Sequence, residues 1–265
     1  MKVVSRFFEL NRRTAELITQ DHIHESNVFG CYKKLATILL SHPRVSKVVD
    51  VGAGKSWQLP SYYKDWYGIE LIGLDIDGHE MKNNDALDQK IVCNVVERIP
   101  IPDNQIDLVM VHSGIEHFSD NKRFLENAFH VLRPGGFLLA QFPGRFAPFA
   151  LVNRLLPTNW ARHLLRLTMG STDELGFRAY YDRTNYSAFK SLYASVGFQE
   201  IYHLPGYYSS SYFARFLPAY LASYAYDIVR YGLGIRDLAS YNLFLLQKPA
   251  DGPDMEPLRL YAWRR

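Results

Sequence analysis

The sequence has few cysteines, no long apolar run and almost no excess of charge. Its 265 residues include two cysteines, Cys31 and Cys93, too few for a disulfide framework, so a reducing compartment is favoured. No uncharged apolar run reaches the roughly 18 residues of a membrane-spanning helix, and residues 1–13 lack the apolar core of a secretory signal. A formal net charge of +3 is too small to indicate a nucleic-acid partner. We therefore expect a cytoplasmic protein.

Aromatic residues are plentiful and unevenly placed. They make up 14% of the chain, and 20 of them fall between positions 144 and 235. That stretch has 9 Lys and Arg against 5 Asp and Glu, whereas residues 36–143 have 10 against 14. The distribution of charge and aromatics thus indicates two regions with different tasks.

Short apolar runs alternate with helical patterns along most of the chain. Seven runs predict β-strands, at residues 46–51, 69–75, 90–93, 106–112, 137–142, 199–203 and 241–247. Helical spacing covers residues 2–40, 121–132 and 186–196, and we expect a turn at Arg133-Pro134-Gly135-Gly136. Strands and helices that alternate at this spacing are typical of βαβ units and a parallel sheet.

The same pattern predicts how the chain is divided. We expect an N-terminal helical segment over residues 1–35, a main domain over 36–248 and a C-terminal tail over 249–265. The intervals 144–185 and 207–236 exceed ordinary connections, so we predict that they are helical insertions. An insertion after the fifth strand would cover the carboxyl edge of the sheet, where α/β proteins bind ligands.

A glycine loop directly follows the first predicted strand. The run Asp50-Val51-Gly52-Ala53-Gly54 places two glycines where the backbone can approach a ligand closely. Dinucleotide-binding loops have a third glycine where this chain has Trp57, and the spacing of a P-loop is not met. By itself the loop is also compatible with a purely structural turn.

A carboxylate at the end of the second strand favours a ligand-binding loop. Asp75 lies 23 residues after Gly52, where an acid can accept hydrogen bonds from both hydroxyls of a ribose. The alternatives are a helix N-cap or a solvated surface acid. Asp77 is a competing acid, but it lies farther from the strand end.

With these two features the chain resembles the class I S-adenosylmethionine-dependent methyltransferases, in particular those with a methyltransferase type 11-like domain. The resemblance rests on five ordered segments, at residues 48–54, 73–76, 99–109, 115–118 and 131–136. It implies an α/β fold, Rossmann-like, with a seven-stranded, mostly parallel sheet, helices on both faces and two helical lid insertions. It also implies S-adenosyl-L-methionine as cofactor and S-adenosyl-L-homocysteine as its product.

The resemblance further implies a cofactor site of ten residues: Asp50, Gly52, Ala53, Gly54, Asp75, Ile76, Asn94, Val95, His112 and Ser113. Asp50 and the glycine backbone are expected to hold the methionine end, Asp75 the ribose, and Ile76 the adenine. Asn94 stands where the family usually has an acid, so contact with the adenine amino group would use its amide or the backbone of Val95. His112 and Ser113 should line the sulfonium end.

His117 and Tyr181 are the two catalytic candidates. Methylation of a hydroxyl needs a base, and a neutral imidazole at His117 is available near pH 7. A histidine here is common in the resembling family, so a structural hydrogen bond is the alternative. Tyr181 belongs to a segment, 177–183, that either orients an acceptor or forms a turn that holds the lid. His112, Glu116 and His117 lack the spacing of metal ligands, and we expect no metal.

The sequence of the loop after strand four limits the classes of acceptor that we expect. The chain reads His112-Ser113-Gly114-Ile115, without the Asn/Asp-Pro-Pro-aromatic loop of amino methylation. Neither cysteine is placed for attack on a pyrimidine, and no strong basic patch indicates nucleic acid. We expect O-methylation of a small, sugar-like or lipid-linked acceptor. The alternatives are a C- or N-methyltransferase for an apolar, quinone-like metabolite and a non-catalytic cofactor-binding scaffold.

The second insertion contains an aromatic stripe at helical spacing. Its members are Phe213, Phe216, Leu217, Tyr220, Leu221, Tyr224, Ile228 and Tyr231, and Pro218 suits the first turn of a helix. Such a stripe is most often core or a homodimer contact. A tunnel for a hydrophobic acceptor and peripheral contact with a membrane remain open.

Overall fold

The computed structural model describes residues 2–19, 27–155 and 178–250. Its strands are β1 (Lys47–Val51), β2 (Glu70–Asp75), β3 (Gln89–Val92), β4 (Ile106–His112), β5 (Leu132–Pro143), β6 (Gln199–Gly206) and β7 (Tyr241–Gln247). Its α-helices are α1 (Lys2–Ile18), α2 (Val28–Leu40), α3 (Tyr62–Tyr67), α4 (Gly78–Met81), α5 (Asn121–Val131), α6 (Pro148–Leu155), α7 (Tyr186–Val196) and α8 (Leu217–Leu233). Short 3-10 turns cover Ile115–His117, Ser210–Phe213 and Arg236–Leu238.

The seven strands form one sheet in the order β3-β2-β1-β4-β5-β7-β6. The pairs from β3 to β5 are parallel, and β7 is antiparallel to both β5 and β6. This confirms the predicted α/β class and the seven-stranded, mostly parallel sheet. Because β2 and β4 lie on opposite sides of β1, the chain reverses its direction of winding there, and a crevice opens at the carboxyl ends of these strands.

Both faces of the sheet are covered, as the continuous apolar strands predict. Neighbouring residues of a strand point to opposite faces. Accordingly Val48 packs in one core with Tyr32 and Leu35 of α2, and Val49 packs in the other with Phe124 of α5 and Phe189 of α7.

The N-terminal helical pattern is not one helix over residues 2–40. A second helix, α2, has its own N-cap at Asn27, whose side chain accepts a hydrogen bond from the N–H of Gly30. Residues 20–26, between the two helices, lie outside the described parts of the chain.

The fifth strand begins five residues earlier than predicted. We expected a turn at residues 133–136 and a strand from Phe137, but β5 runs from Leu132. Gly135 adopts a positive φ of 78° and stays in the ladder, because its N–H donates to the carbonyl of Lys248 at 2.9 Å. Glycine accommodates this irregularity without ending the strand.

The predicted insertions are described in part. Helix α6 lies in the first predicted insertion, of which residues 156–177 are outside the described residues, as is the tail beyond Ala250. Helix α8 has Pro218 in its first turn, as predicted. Of the aromatic stripe, Tyr220 and Tyr224 are buried and pack against Ala15 of α1, whereas Phe216 and Leu221 are exposed.

Candidate active site

A pocket of about 390 Å³ opens at the carboxyl ends of β1, β2 and β4, where the winding of the sheet reverses. Its lining comprises Val51, Gly52, Gly54, Leu74, Asp75, Ile76, Glu80, Cys93, Asn94, Val95, Val96, Ser113, Gly114, His117, Phe118, Ser119, Arg178 and Tyr180. The volume is that of a site for a small organic molecule. It lies where ligands bind in open α/β sheets.

The glycine loop turns its backbone toward this pocket. Gly52 and Gly54 have φ values of 70° and 49°, which other residues adopt only with strain, and a Cβ on Gly52 would meet no atom within 4 Å. Behind the loop, the amide of Asn84 donates to the carbonyls of Ala53 at 3.0 Å and Gly54 at 3.2 Å. Asn84 is 2% exposed and was not predicted as a site residue. It fixes the loop from behind.

Asp75 holds the same loop from the pocket side. Its Oδ2 accepts the N–H of Gly54 and its Oδ1 accepts the N–H of Asp77, both at 3.0 Å. The competing acid, Asp77, is the N-cap of α4 and accepts the N–H of His79. A carboxylate has about four acceptor positions, so Asp75 retains capacity for ligand hydroxyls.

Asp50 is buried beside Asp75 at the end of β1. Burial, and secondarily the negative charge of Asp75, raises the pKa of Asp50 to about 7. No basic side chain among the described residues forms an ion pair with either acid. A ligand with positive charge would therefore supply the counter-charge that these two carboxyl groups lack.

Apolar side chains form the other wall of the pocket. Ile76, Val95 and Phe118 line it and offer flat apolar surface to a ring system. Asn94 lies between them, and its amide is engaged locally: Oδ1 accepts the N–H of Val96 at 3.1 Å and Nδ2 donates to Glu97 at 2.9 Å. The side chain is thus oriented before any ligand binds.

The end of β4 is strained. Ser113 has a positive φ of 54°, which is unusual for a residue with a side chain, and strain of this kind often marks a functional site. Its N–H donates to the carbonyl of Gln141 at 2.8 Å, and its hydroxyl donates to Oε1 of the same residue at 3.1 Å. Two bonds to β5 hold the serine at the edge of the pocket.

His112 lies behind this edge and does not line the pocket. Its ring contacts the edges of Tyr32, at 4.9 Å between centroids, and Phe29, at 5.6 Å. Burial, and then the charge of Lys33, lowers the pKa of His112 to about 4, so the imidazole is neutral. Its Nε2 and the Tyr32 hydroxyl have no hydrogen-bond partner within the described part of the chain. Buried polar atoms of this kind need an explanation, and a bound ligand is one.

His117 lines the pocket in a defined tautomer. Its Nδ1 lies 3.1 Å from the carbonyl of Arg178, which is an acceptor only, so Nδ1 carries the hydrogen and Nε2 the lone pair. Burial lowers the pKa of His117 below its usual range. The imidazole is therefore neutral at pH 7 and has a basic nitrogen.

Glu116 is buried beside His117, and its Oε1 lies 3.9 Å from Nε2 of that histidine. The residue is 6% exposed, and burial raises the pKa of its carboxyl group to about 8, so the group is protonated at neutral pH. Its backbone carbonyl accepts the N–H groups of Tyr180 at 2.8 Å and Tyr181 at 3.0 Å. The loop after β4 is thereby tied to the last part of the first insertion.

The side chains of Tyr180 and Tyr181 lie in different surroundings. Tyr180 lines the pocket with Arg178, whose guanidinium lies 4.9 Å from the ring centre. Tyr181 has a φ of 51° and is 5% exposed, and its hydroxyl bonds to Asn153. Burial raises the pKa of that hydroxyl to about 12. The neighbour of the predicted residue is thus the one that reaches the pocket.

The rest of the segment forms an anchored turn, one of the two alternatives considered for it. The Asp182 carboxylate accepts the N–H of Asn121 at 3.0 Å and pairs with Arg183 at 2.9 Å. Arg183 also reaches Asp120, the N-cap of α5. Asp182 and Arg183 therefore hold the turn, and Arg178 and Tyr180 face the ligand side.

Most of the residues predicted for the site meet at the pocket. Those that line it are Gly52, Gly54, Asp75, Ile76, Asn94, Val95, Ser113 and His117, and those that do not are Asp50, Ala53, His112 and Tyr181. The sequence analysis did not name Asn84, and it included Arg178 and Tyr180 only as members of the segment 177–183, which was expected either to orient an acceptor or to form a turn. Among the described residues no His, Cys, Asp and Glu side chains form a group that would bind a metal ion.

The pocket suits S-adenosylmethionine in shape and charge. Asp75 lines the pocket, Asp50 is buried behind it, and neither has a basic partner among the described residues, which suits a ligand that carries a sulfonium and an ammonium group. Asp75 also has acceptor capacity for the ribose hydroxyls of that ligand. The apolar wall suits its adenine.

Comparison with known proteins gives the same assignment. Residues 49–140 match the family model described as a methyltransferase domain. A probable S-adenosylmethionine-dependent methyltransferase of Mycolicibacterium smegmatis is 36% identical over 83 residues, which are 29% of this chain and 32% of the relative. The ubiquinone/menaquinone biosynthesis C-methyltransferase of Shewanella oneidensis is 30% identical over 132 residues, 45% of this chain and 52% of the relative.

A solved structure extends the likeness of fold beyond the matched segment. The putative sarcosine dimethylglycine methyltransferase of Galdieria sulphuraria superposes with a TM-score of 0.54 at 14% identity and covers 85% of this chain and 86% of its own. The alignments with the two curated relatives span only about a third and about half of their lengths. The chain carries a methyltransferase domain of the class I S-adenosylmethionine-dependent family.

Proposed function

We propose that the protein transfers the methyl group of S-adenosylmethionine to a hydroxyl group of a small, sugar-like or lipid-linked acceptor. The bound cofactor supplies an electrophilic methyl group on a sulfonium, and the chain has to position the acceptor, exclude water and accept a proton. Asp50 and the glycine loop hold the methionine end, and Asp75 holds the ribose. The acceptor lies beyond Ser113, beside Tyr180.

The tautomer of His117 is the observation that carries this proposal. A hydroxyl has a pKa far above 7 and must lose its proton as it attacks, so it needs a base more than other acceptors do. Nε2 of His117 has the lone pair, and burial keeps the ring neutral. Tyr181 acts from a distance, because its backbone bond to Glu116 helps to set the loop that carries His117.

A second candidate is methylation of carbon on an apolar, quinone-like acceptor. It is favoured by the similarity to a C-methyltransferase of ubiquinone/menaquinone biosynthesis. In this case His117 would abstract a proton from the ring carbon or its phenolic neighbour, and the same pocket would serve.

Transfer of labelled methyl groups tests both candidates. The full chain would be incubated with methyl-labelled S-adenosylmethionine and a cell extract, and the labelled product purified and examined by NMR. A methyl ether supports the first candidate, and a C-methyl group replaces it with the second. Binding of S-adenosylhomocysteine with no transfer into any extract would indicate a non-catalytic scaffold.

A further inference from the structure

Helix α8 has its charged residues inside and its apolar residues outside. Asp227 and Arg230 are its two charged residues, and each is 1% exposed. Its exposed face contains Leu221, Ala222, Ala225, Ile228, Val229 and Leu233. Surface helices of water-soluble domains ordinarily have the opposite arrangement. The helix has 17 residues, and an exposed face without a charge along a helix of this length indicates contact with something apolar.

A complete hydrogen-bond network fixes this orientation. Arg230 pairs with Asp227 and donates to the carbonyls of Leu238 and Tyr207. The other oxygen of Asp227 accepts the N–H groups of Ser209 and Ser210 at 2.9 and 2.8 Å. Because turning the helix over would leave these buried charges without partners, the apolar face stays outward.

The apolar face continues onto α1. The Tyr224 hydroxyl of α8 donates to the carbonyl of Ile18 of α1 at 3.2 Å, and Asn11 of α1 donates to the carbonyl of Arg215, just before α8, at 2.9 Å. On its outer side α1 exposes Phe7, Leu10 and Leu17. The combined apolar face thus spans two neighbouring helices.

The surroundings of this face are basic. Asp227 is the one acidic residue between positions 207 and 236, and it is buried in the ion pair. The half-buried Arg215 precedes α8, and the exposed Arg236 follows it, with its guanidinium over the ring of Tyr186 and next to Asp237, whose carboxylate is bonded to Asn185 and Ser187. Arg6 on α1 is exposed as well, and both glutamates of α1 are paired with Arg12 or Arg13. A symmetric dimer over this face would bring two basic patches together, whereas an anionic surface would complement them.

We propose that the outer face of α8 and α1 lies on the surface of an anionic lipid bilayer. The leucine, isoleucine, valine and phenylalanine side chains enter the boundary between headgroups and acyl chains, and the flanking arginines contact the phosphates. The contact is peripheral, since no helix in the described ranges is both long and apolar enough to cross a membrane. This inference concerns the association of the protein with a membrane surface and is independent of the chemistry of the acceptor.

Cosedimentation with vesicles tests the proposal with neither cofactor nor acceptor present. The full chain would be mixed with vesicles of phosphatidylcholine alone or with added phosphatidylglycerol. Binding is expected to anionic vesicles and to weaken with salt. The double variant Leu221→Asp/Val229→Asp should bind at least roughly ten-fold more weakly, since it places two charges in the apolar boundary. Arg236→Gln should bind more weakly to anionic vesicles and be unchanged on neutral ones.

Trp66→Asp is the matched control, because Trp66 is a large exposed apolar residue on α3, 75% exposed. It should bind vesicles like the unchanged chain, and circular dichroism and thermal melting would show that all variants fold. Absence of binding to anionic vesicles would overturn the proposal, as would equal binding by the double variant. Light scattering on the unchanged chain should give a monomer; a dimer that the double variant dissociates would instead make this face a contact between two copies.

Discussion

The backbone N–H of Gly54 donates to Oδ2 of Asp75 at 3.0 Å, so the carboxylate assigned to the ribose also holds the loop assigned to the methionine end. One side chain thereby couples the two halves of the cofactor pocket. Loss of Asp75 should affect the cofactor twice, through a missing acceptor and through a loosened loop.

Asp75→Ala should weaken binding of S-adenosylhomocysteine by about 1–3 kcal/mol, the usual cost of losing hydrogen bonds to a charged group. Isothermal titration calorimetry measures the change. Asp77→Ala is the control: this acid caps α4 and should leave the affinity within a few-fold of the original. Equal affinities of all three proteins would remove Asp75 from the site.

Cofactor binding should depend on pH through Asp50. The pKa of this buried carboxyl is about 7 in the ligand-free protein, and a bound ammonium group favours its ionised form. Affinity should therefore rise between about pH 6 and about pH 8, with proton release on binding. Calorimetry in buffers of different ionisation enthalpy measures this release. Asp50→Asn should abolish it; a pH slope that survives the substitution would place the proton elsewhere.

His117→Gln should reduce methyl transfer by about 10²-fold or more, the range for loss of a general base. The amide of glutamine can still donate to the carbonyl of Arg178, so this variant separates a base from a structural hydrogen bond. The pKa of His117 is lowered by burial, so activity of the original protein should hold at neutral pH and fall as the pH drops through that lowered value. His130→Ala, at an exposed histidine, should keep full activity. Full activity of His117→Gln would make the contact structural.

Asp227→Asn should destabilise the protein by about 3–5 kcal/mol, because Arg230 would keep a buried charge without its partner. For a chain of this size that corresponds to a melting temperature lower by roughly 10 °C. Differential scanning calorimetry measures it. Glu126→Gln breaks exposed pairs with Lys122 and Arg123 and should cost less than about 1 kcal/mol. Similar melting temperatures for both variants would show that the buried pair does not fix α8.

The strands were predictable from sequence because each is a short apolar run with a clear end. Residues 106–112 and 241–247 coincide with β4 and β7. The start of β5 was not predictable from sequence, because Pro134-Gly135-Gly136 is locally typical of a turn. The bond that keeps Gly135 in the sheet comes from Lys248, more than a hundred residues away.

The candidate site shows the same difference between residues with a local sequence signal and residues whose role depends on distant partners. Gly52, Gly54 and Asp75 could be identified because the chemistry and their local spacing coincide. Asn84 could not, because its role depends on carbonyls about thirty residues away. Within the segment 177–183, Tyr181 and not Tyr180 was chosen as the catalytic candidate. The positive φ of Tyr181 decides which of the two tyrosines reaches the pocket, and the sequence does not determine it.

The position of Asn84 in the sequence bears on how the acceptor specificity of such a protein can change. The partners that shape the cofactor loop (Leu74, Asp75 and Asn84) all lie within a short stretch of chain after it. Arg178 and Tyr180, which we propose to lie on the acceptor side of the pocket, instead belong to the first insertion. Under the proposed function, cofactor recognition and acceptor choice therefore depend on separate segments of the chain, and exchange of the first insertion is expected to change the acceptor while the methyl donor stays the same.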